Sequence, residues 1–205
     1  MNHYIVIEGN IGAGKTSFVR KYVEDINARA IYERFADNDF LAKFYADPEK
    51  YAFTLEMSFL ADRFHQLKKE LNTQELFSNG IVSDYFLMKS LIFARSTLSE
   101  DEYRLYRDIF EIIYQRLSKP DIYVYLHKTP DTLLKNISKR GRTYEETITK
   151  DYLKSIEDSY FTFFKQHSDL NPLIIDAENL DFVTNKNDYL QICKIINNAI
   201  EKNEL

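Results

Sequence analysis

The feature that most constrains this chain is a glycine-rich segment between a short apolar run and a helical pattern. The apolar run is Tyr4-Ile5-Val6-Ile7. The segment matches the pattern G-x-x-x-x-G-K-[ST] and consists of Gly9-Asn10-Ile11-Gly12-Ala13-Gly14-Lys15-Thr16. It contains three of the five glycines in the chain. A strand, a glycine-rich turn and a helix in this order predict a phosphate-binding loop.

The residue types of this loop suit an anion. Glycines let successive backbone N–H groups point at phosphate oxygens where a Cβ would obstruct them. Lys15 is expected to contact the terminal phosphates, and the Thr16 hydroxyl is expected to bind Mg²⁺. The helix from about Ser17 to Asn27 adds the partial positive charge of its N-terminus. The glycine spacing differs from the G-x-G-x-x-G of dinucleotide-binding folds.

Length and composition limit the remaining possibilities. A chain of 205 residues suits one domain over residues 1–205. The net charge of −5 argues against a nucleic-acid partner. We expect a cytoplasmic protein without a membrane partner, because we find no leader and no apolar run long enough to cross a bilayer. The single cysteine, Cys193, cannot form an internal disulfide.

Strand-like and helical segments alternate along the chain. Strands are predicted at residues 4–7, 30–32, 81–83, 122–126 and 173–175. This alternation predicts a layered α/β fold with a mainly parallel sheet. Ligands of such sheets bind at the carboxyl ends of the strands. The predicted strand ends are followed by the phosphate loop, by Glu33 and by Asp84, and a basic segment lies one helix beyond the fourth strand.

A long helix is predicted from Asp47-Pro48-Glu49 to about Leu71. Its apolar residues recur at intervals of three and four and predict a core face made of Phe53, Met57, Leu60, Phe64, Leu67 and Leu71. Glu56 and Arg63 lie two turns apart and share a face. That face is either solvated or forms the wall of a pocket for a flat heterocycle.

Glu33 has two interpretations. It is either a base that orients an incoming hydroxyl, or a solvated carboxylate paired with Arg34. Phosphoryl transfer depends on positioning more than on base strength, which makes the first interpretation chemically reasonable.

The segment Lys139-Arg140-Gly141-Arg142 ends a predicted helix. It is either a basic C-terminus favoured by the helix dipole or a lid whose arginines cover a transferring phosphoryl group. Beside a phosphate loop, the lid is favoured.

Other patterns exclude other classes. The four histidines have no metal-site spacing, and no G-x-S-x-G nucleophile motif is present. Asn185-Lys186-Asn187-Asp188 matches the N-K-x-D motif of GTPases, but the accompanying D-x-x-G is missing. We expect this segment to cap the last helix.

Together these segments resemble the deoxynucleoside kinase family, which is related to thymidylate kinase. The resemblance covers nearly the whole chain and depends on the order of GNIGAGKT, Glu33, FLAKFYADPEKYAF, TLEMSFLADRFHQL, LIFA, KRGRTYEE and IIDAENLDF. It implies a three-layer P-loop kinase fold with five parallel strands, surrounding helices and an arginine lid at about 139–149. It also implies a homodimer that transfers the γ-phosphoryl group of ATP, with Mg²⁺, to the 5′-hydroxyl of a deoxyribonucleoside in nucleotide salvage.

The resemblance also implies roles for individual residues. Glu33 is similar to the family's catalytic base, and Arg140 and Arg142 to its lid arginines. Tyr45 and Glu145 are similar to the pair that holds the sugar 3′-hydroxyl.

Base and donor contacts are implied in the same way. Arg63 is similar to a base-binding arginine, and Phe93 to an aromatic ring that stacks on the base. The segment Asp176 to Phe182 resembles the loop around the adenine of the donor.

Two positions depart from the family pattern. Glu56 stands where most relatives have glutamine, so an ionised side chain only accepts hydrogen bonds. It would suit the N–H groups of guanine, or adenine if protonated, and burial favours protonation. Asp84-Tyr85-Phe86 stands where the family has [DE]-R-S; Asp84 still suits the metal, but the arginine is missing.

A purine deoxynucleoside is therefore the expected substrate. One alternative is a nucleoside monophosphate kinase, which needs an arginine such as Arg34 for the acceptor phosphate. The other is a nucleotide-binding regulator without catalysis.

Overall fold

The structure is a computed structural model that describes residues 3–34, 38–73, 78–142 and 145–203. These residues form two compact units. Within the described ranges, the first unit comprises residues 1–30, 77–84 and 120–205, and the second comprises residues 31–76 and 85–119. The first unit is built on the sheet, and the second is mainly helical.

The sheet is five-stranded and parallel, as predicted. Its strands are β1 (His3–Gly9), β2 (Arg29–Ile31), β3 (Gly80–Ser83), β4 (Ile122–His127) and β5 (Leu173–Asp176). Their order is β2-β3-β1-β4-β5. The strand β1 pairs in parallel with β3 and β4, and β4 pairs in parallel with β5. Because β1 and β4 are buried on both faces, their nearly continuous apolar sequences fit the centre of the sheet.

The helices predicted at about 17–27 and 47–71 are observed at Lys15–Ile26 and Pro48–Asn72. In chain order, the helices of the described residues are α1 (Lys15–Ile26), α2 (Leu41–Ala46), α3 (Pro48–Asn72), α4 (Met88–Thr97), α5 (Glu100–Tyr114), α6 (Pro130–Arg140), α7 (Lys150–Gln166) and α8 (Lys186–Asn203). The helices α2 to α5 belong to the second unit, and the others belong to the first. Within the described ranges, none of these helices combines the length and apolarity needed to cross a membrane.

Local capping contacts explain several helix starts. The Asp47 carboxylate accepts a hydrogen bond from the backbone N–H of Lys50 at 3.3 Å, and the Thr129 hydroxyl accepts one from Thr132 at 3.4 Å. At the start of α8, the Asn185 side chain accepts a hydrogen bond from the N–H of Asn187 at 2.9 Å. The cap prediction for the N-K-x-D segment is therefore confirmed.

The core of the first unit fills the space between the sheet and the helices α1 and α8. Strand residues such as Ile7 and Val124 pack with Phe18, Tyr189 and Ile192 from these helices. This packing fixes β1 and α1, and with them the loop that joins the two elements.

The predicted apolar face of α3 is wrong. Leu60 and Leu67 are buried, but Phe53, Met57, Phe64 and Leu71 are only half-buried. The buried face instead includes Glu56 and Arg63, which are 4% and 6% exposed. Residues 56, 60, 63 and 67 are spaced by four, three and four and share one side of the helix. The interpretation of Glu56 and Arg63 as a solvated face is therefore also wrong.

Candidate active site

The phosphate loop joins β1 to α1 in the first unit. Gly12 and Gly14 have φ angles of 82° and 89°, which are left-handed conformations. A Cβ on Gly12 would lie 2.8 Å from the carbonyl oxygen of Leu133, and one on Gly14 would lie 2.8 Å from Cζ of Phe182. Both the left-handed backbone conformation and the close packing around the loop therefore require glycine at these two positions.

Polar contacts fix the loop in place. The Lys15 Nζ donates to the carbonyl oxygens of Gly9 at 2.7 Å and Asn10 at 3.0 Å. The Asn10 side chain donates to the carbonyl of Leu153 at 2.7 Å and accepts from the N–H of Ile11 at 2.8 Å. These bonds hold the Lys15 ammonium at the loop, beside the N-terminus of α1.

The two predicted Mg²⁺ ligands are neighbours in the first unit. The Thr16 hydroxyl donates to Oδ2 of Asp84 at 2.5 Å. Asp84 directly follows β3 and is 4% exposed. Mg²⁺ prefers oxygen ligands and often takes only one or two from the protein, together with phosphates and water. A hydroxyl and a carboxylate in contact beside a phosphate loop fit this ion.

The predicted lid begins where α6 ends at Arg140. Gly141 follows with a φ angle of 68° and closes the helix. The Arg140 guanidinium donates to both carboxylate oxygens of Glu145 at 2.5 to 3.1 Å, and Arg142 lies 3.6 Å from the same side chain. The structure thus brings the two arginines and Glu145 into one ion cluster. Residues 143 and 144 of the lid lie outside the described part of the chain.

The segment from Asp176 to Phe182 is held by the side chain of Lys128, which follows β4. The Lys128 ammonium donates to the carbonyl oxygens of Ala177 and Leu180. Phe182 is 3% exposed and packs edge-on against Phe18, with ring centroids 5.8 Å apart. Phe182 is therefore a core residue beneath the phosphate loop, and the contact with a donor adenine stays a prediction for this segment.

Glu33 lies in the second unit between two cations. Arg63 donates to its Oε1 from Nε at 3.0 Å and from Nη2 at 2.7 Å. The Lys89 ammonium donates to its Oε2. The Glu33 side chain is only 12% exposed. The interpretation of Glu33 as a solvated carboxylate is therefore wrong.

The two cations decide the charge of Glu33. Burial by itself raises the pKa of Glu33. The positive charges of Lys89 and Arg63 and their hydrogen bonds have a larger, opposite effect, and the resulting pKa is about 2. Glu33 is consequently ionised at neutral pH and can only accept hydrogen bonds.

Glu56 is buried in a different environment. The Thr97 hydroxyl donates to its Oε1 at 2.8 Å. Its Oε2 is buried and has no hydrogen-bond partner among the residues described. Burial raises the pKa of Glu56 to about 6, against the Thr97 hydrogen bond and the positive charge of Arg63. Glu56 therefore changes charge near neutral pH and keeps one oxygen for a ligand.

The remaining predicted acceptor residues also belong to the second unit. Arg63 donates from Nη1 to the hydroxyl of Ser90 at 2.8 Å, in addition to its contacts with Glu33. Phe93 is half-buried, and the Lys89 Nζ lies 5.5 Å from its ring centroid. Tyr45 lies in α2, and its side chain is outside the described part of the structure. The sugar contacts of Tyr45 and Glu145 stay predictions.

Sequence reasoning missed Lys89, Ser90 and Thr97. The signal for Lys89 was the missing arginine after β3, because a buried carboxylate needs cations from somewhere in the chain. Thr97 carries no comparable signal, since a hydroxyl in the last turn of a helix usually bonds its own backbone.

The parallel sheet, the phosphate loop after β1 and the basic lid define a P-loop kinase. A family model described as Deoxynucleoside kinase matches residues 5–201. The chain belongs to the deoxynucleoside kinase family and is an enzyme that phosphorylates a deoxynucleoside from a nucleotide donor.

Individual relatives agree with this assignment. The chain is 34% identical over 201 residues to the deoxyguanosine kinase of Bacillus subtilis (strain 168), covering 96% of this chain and 97% of the relative. It is 29% identical over 211 residues to the deoxyadenosine kinase of Lactobacillus acidophilus, covering 98% of each chain. The structure of deoxyadenosine kinase from M. mycoides with bound dATP matches with a TM-score of 0.80 and 26% identity, covering 95% of this chain and 99% of that one. The monophosphate kinase and regulator alternatives gain no support.

Replacing Glu56 with glutamine is expected to stabilise the protein in a pH-dependent way. The unfolded chain ionises Glu56 near its usual pKa of 4.5, whereas the folded chain ionises it at about 6. The folded state therefore loses stability as the pH rises through this interval, and about 1.5 pKa units correspond to about 2 kcal/mol. The difference in unfolding free energy between Glu56→Gln and the parent should grow by about this amount from pH 4 to pH 8.

Urea denaturation at both pH values would measure this difference. Glu49→Gln on the same helix is the matched control, because Glu49 is exposed and its replacement should have a small effect. A difference for Glu56→Gln that stays constant with pH would contradict the prediction.

Proposed function

We propose that this enzyme transfers the γ-phosphoryl group of ATP, with Mg²⁺, to the 5′-hydroxyl of a purine deoxynucleoside and prefers deoxyguanosine above pH 6. The observation that carries the base preference is Glu56, a buried carboxylate with a free oxygen where most family members have glutamine. The names of the related deoxyguanosine and deoxyadenosine kinases support a purine.

The first unit holds the donor. Backbone N–H groups of the loop and the N-terminus of α1 bind its phosphates, and Lys15 adds a positive charge. Thr16 and Asp84 would hold Mg²⁺, and the bound ion would neutralise charge on the phosphate oxygens. When the donor binds, Arg140 and Arg142 leave the Glu145 carboxylate and bind phosphate oxygens of the donor instead. These roles are supported by the contacts of the loop and of the lid cluster.

The second unit holds the acceptor. Glu33 accepts a hydrogen bond from the 5′-hydroxyl and receives its proton as this oxygen bonds to the γ-phosphorus. The bond from the γ-phosphorus to the bridging oxygen breaks, and ADP leaves with that electron pair. With a pKa of about 2, Glu33 is a weak base. Its contribution is therefore to orient the hydroxyl, which suits the loose transition state of phosphoryl transfer. Phe93 stacks on the base, and Arg63 lies on the same helix face as Glu56.

Base selection follows from the protonation state of Glu56. An ionised carboxylate accepts hydrogen bonds from the adjacent N1–H and N2–H of guanine. A protonated carboxyl donates to N1 of adenine and accepts from its amino group. Because the pKa of Glu56 is about 6, the ionised form dominates above neutral pH. Deoxyguanosine is therefore favoured there.

A substrate panel tests the proposed reaction. Purified protein with ATP and Mg²⁺ at pH 8 is expected to convert deoxyguanosine to its monophosphate faster than deoxyadenosine, deoxycytidine or thymidine. Chromatography of the products measures these rates. Product formed only from nucleoside monophosphates would contradict the proposal.

The base preference is expected to depend on pH. The ratio of kcat/KM for deoxyguanosine to kcat/KM for deoxyadenosine should rise at least about tenfold from pH 5 to pH 8, because ionised Glu56 replaces the protonated form. Glu56→Gln should lower the ratio at pH 8 and remove its pH dependence. A ratio that is the same in parent and variant at every pH would mean that Glu56 does not bind the base.

Glu33→Gln is expected to lower kcat by about 10²-fold or more and to leave nucleoside binding largely intact. Glutamine keeps the size of the side chain but cannot take the proton. Steady-state kinetics would measure kcat, and calorimetry would measure deoxyguanosine binding. An undiminished kcat would remove Glu33 from this role.

We also propose a cytoplasmic homodimer, as the resemblance implies. Two large apolar residues on α5, Leu105 and Ile112, are 54% and 60% exposed. They lie two turns apart and therefore share a face, which supports association through an apolar surface. Light scattering that finds a monomer at micromolar concentration would contradict the dimer, and cell fractionation would test the location.

A further inference from the structure

We propose that Lys89 is a positioning residue of the phosphoryl transfer: from α4 it holds the second oxygen of the Glu33 carboxylate, so that this carboxylate stays ionised and aimed. The inference rests on the proposed role of Glu33. Asp84 and Phe93, on either side of Lys89, have roles predicted from the sequence, but Lys89 itself has none.

Each of the two cations binds a different oxygen of the Glu33 carboxylate. Arg63 directs two N–H groups to Oε1, and Lys89 donates to Oε2. The cations belong to different helices, α3 and α4. A carboxylate held at both oxygens from two directions cannot rotate freely, so its orientation is fixed before an acceptor arrives.

The first turn of α4 binds both members of the Glu33–Arg63 pair. Lys89 contacts Glu33, and the next residue, Ser90, accepts a hydrogen bond from Nη1 of Arg63 at 2.8 Å. Ser90 is fully buried, and the Lys89 side chain is 12% exposed. The alkyl chain of Lys89 leads its ammonium past the ring of Phe93, 5.5 Å from the centroid. The ammonium thus lies between the proposed base and the ring that is proposed to stack on the substrate.

The charges around Glu33 make the second cation necessary. Arg63 from α3 and Lys89 from α4 face the carboxylate. Arg63 also faces the Glu56 carboxyl on α3 and the Tyr106 hydroxyl on α5. Burial keeps the pKa of Tyr106 well above its usual value, so that this hydroxyl stays neutral. Arg63 therefore divides its charge between Glu33 and Glu56, whereas Lys89 acts on Glu33. Without Lys89, burial would act on a carboxylate with one shared cation, and its affinity for a proton would rise. A protonated Glu33 cannot take the proton of the acceptor hydroxyl.

A purely structural ion pair would behave differently. Buried pairs are often replaceable by apolar residues at little cost in stability. In that case, removal of Lys89 would change the melting temperature and leave the pH dependence of kcat where it was. The pH profile therefore separates the two roles.

The test compares kcat at saturating deoxyguanosine from pH 4.5 to pH 9 in the parent, Lys89→Met, Lys89→Arg and Lys68→Met. Lys68 is the matched control, because its ammonium also lies 5.5 Å from a phenylalanine ring, that of Phe64, on an exposed side of α3. In the parent, Glu33 has a pKa of about 2 and stays ionised over this whole pH range. In Lys89→Met we expect protonation of Glu33 to add an acid limb inside the range, so that kcat at pH 4.5, relative to kcat at pH 8, falls at least about threefold below the parent ratio. Lys89→Arg and Lys68→Met should keep the parent profile.

A pH profile of kcat in Lys89→Met that coincides with that of the parent would overturn the inference. If Lys89→Met does not fold, the carboxyl carbon of Glu33 can be titrated by NMR in the parent enzyme. We expect it to stay ionised below pH 4, and a carboxyl that titrates above pH 4.5 would equally overturn the inference. Failure of the parent enzyme to phosphorylate any deoxynucleoside would instead refute the proposed function.

Discussion

The burial of a guanidinium on α3 is the constraint on which the second unit depends. Arg63 is 6% exposed, and a charge in such a place is stable only when its hydrogen bonds and its charge are matched. Glu33 matches the charge, and Ser90 takes a further N–H group. Removing one partner of a buried pair typically costs about 3–5 kcal/mol. The Arg63 side chain therefore links α3 both to the segment after β2 and to the first turn of α4.

The two units carry different kinds of recognition. In the proposed function, the first unit binds phosphate oxygens with backbone N–H groups, a lysine and two arginines, none of which distinguishes one base from another. The second unit buries Glu56 and Arg63, whose hydrogen-bonding groups are proposed to distinguish one base from another. In this proposal the donor, which many enzymes share, is bound through its phosphates, and the deoxynucleoside is selected through its base. The Glu56 oxygen without a hydrogen-bond partner among the described residues is the group proposed to make this distinction.

Local signals predicted the fold, and long-range pairing limited the prediction of the site. The phosphate loop, the strand at Ile122 and the cap at Asp47 follow from residues next to one another in sequence. The apolar face of α3 was wrong because periodicity assigns charged residues outward, while Glu56 and Arg63 are paired inside. Lys89 is 56 residues from Glu33, and Thr97 is 41 residues from Glu56. No spacing rule connects positions so far apart, so only the folded chain reveals these contacts.

The packing of Phe182 against Gly14 has a consequence for how this kinase can change. A Cβ at Gly14 would lie 2.8 Å from the ring, so the ring occupies the volume that the glycine leaves open. The ring belongs to the segment after β5, and the glycine belongs to the loop after β1. The distance between these two parts of the first unit is thus set by the thickness of one aromatic side chain. Glycine cannot be made smaller, and its φ angle of 89° disfavours any side chain at this position. A ring larger than that of Phe182 could therefore be accommodated only if the two loops moved apart.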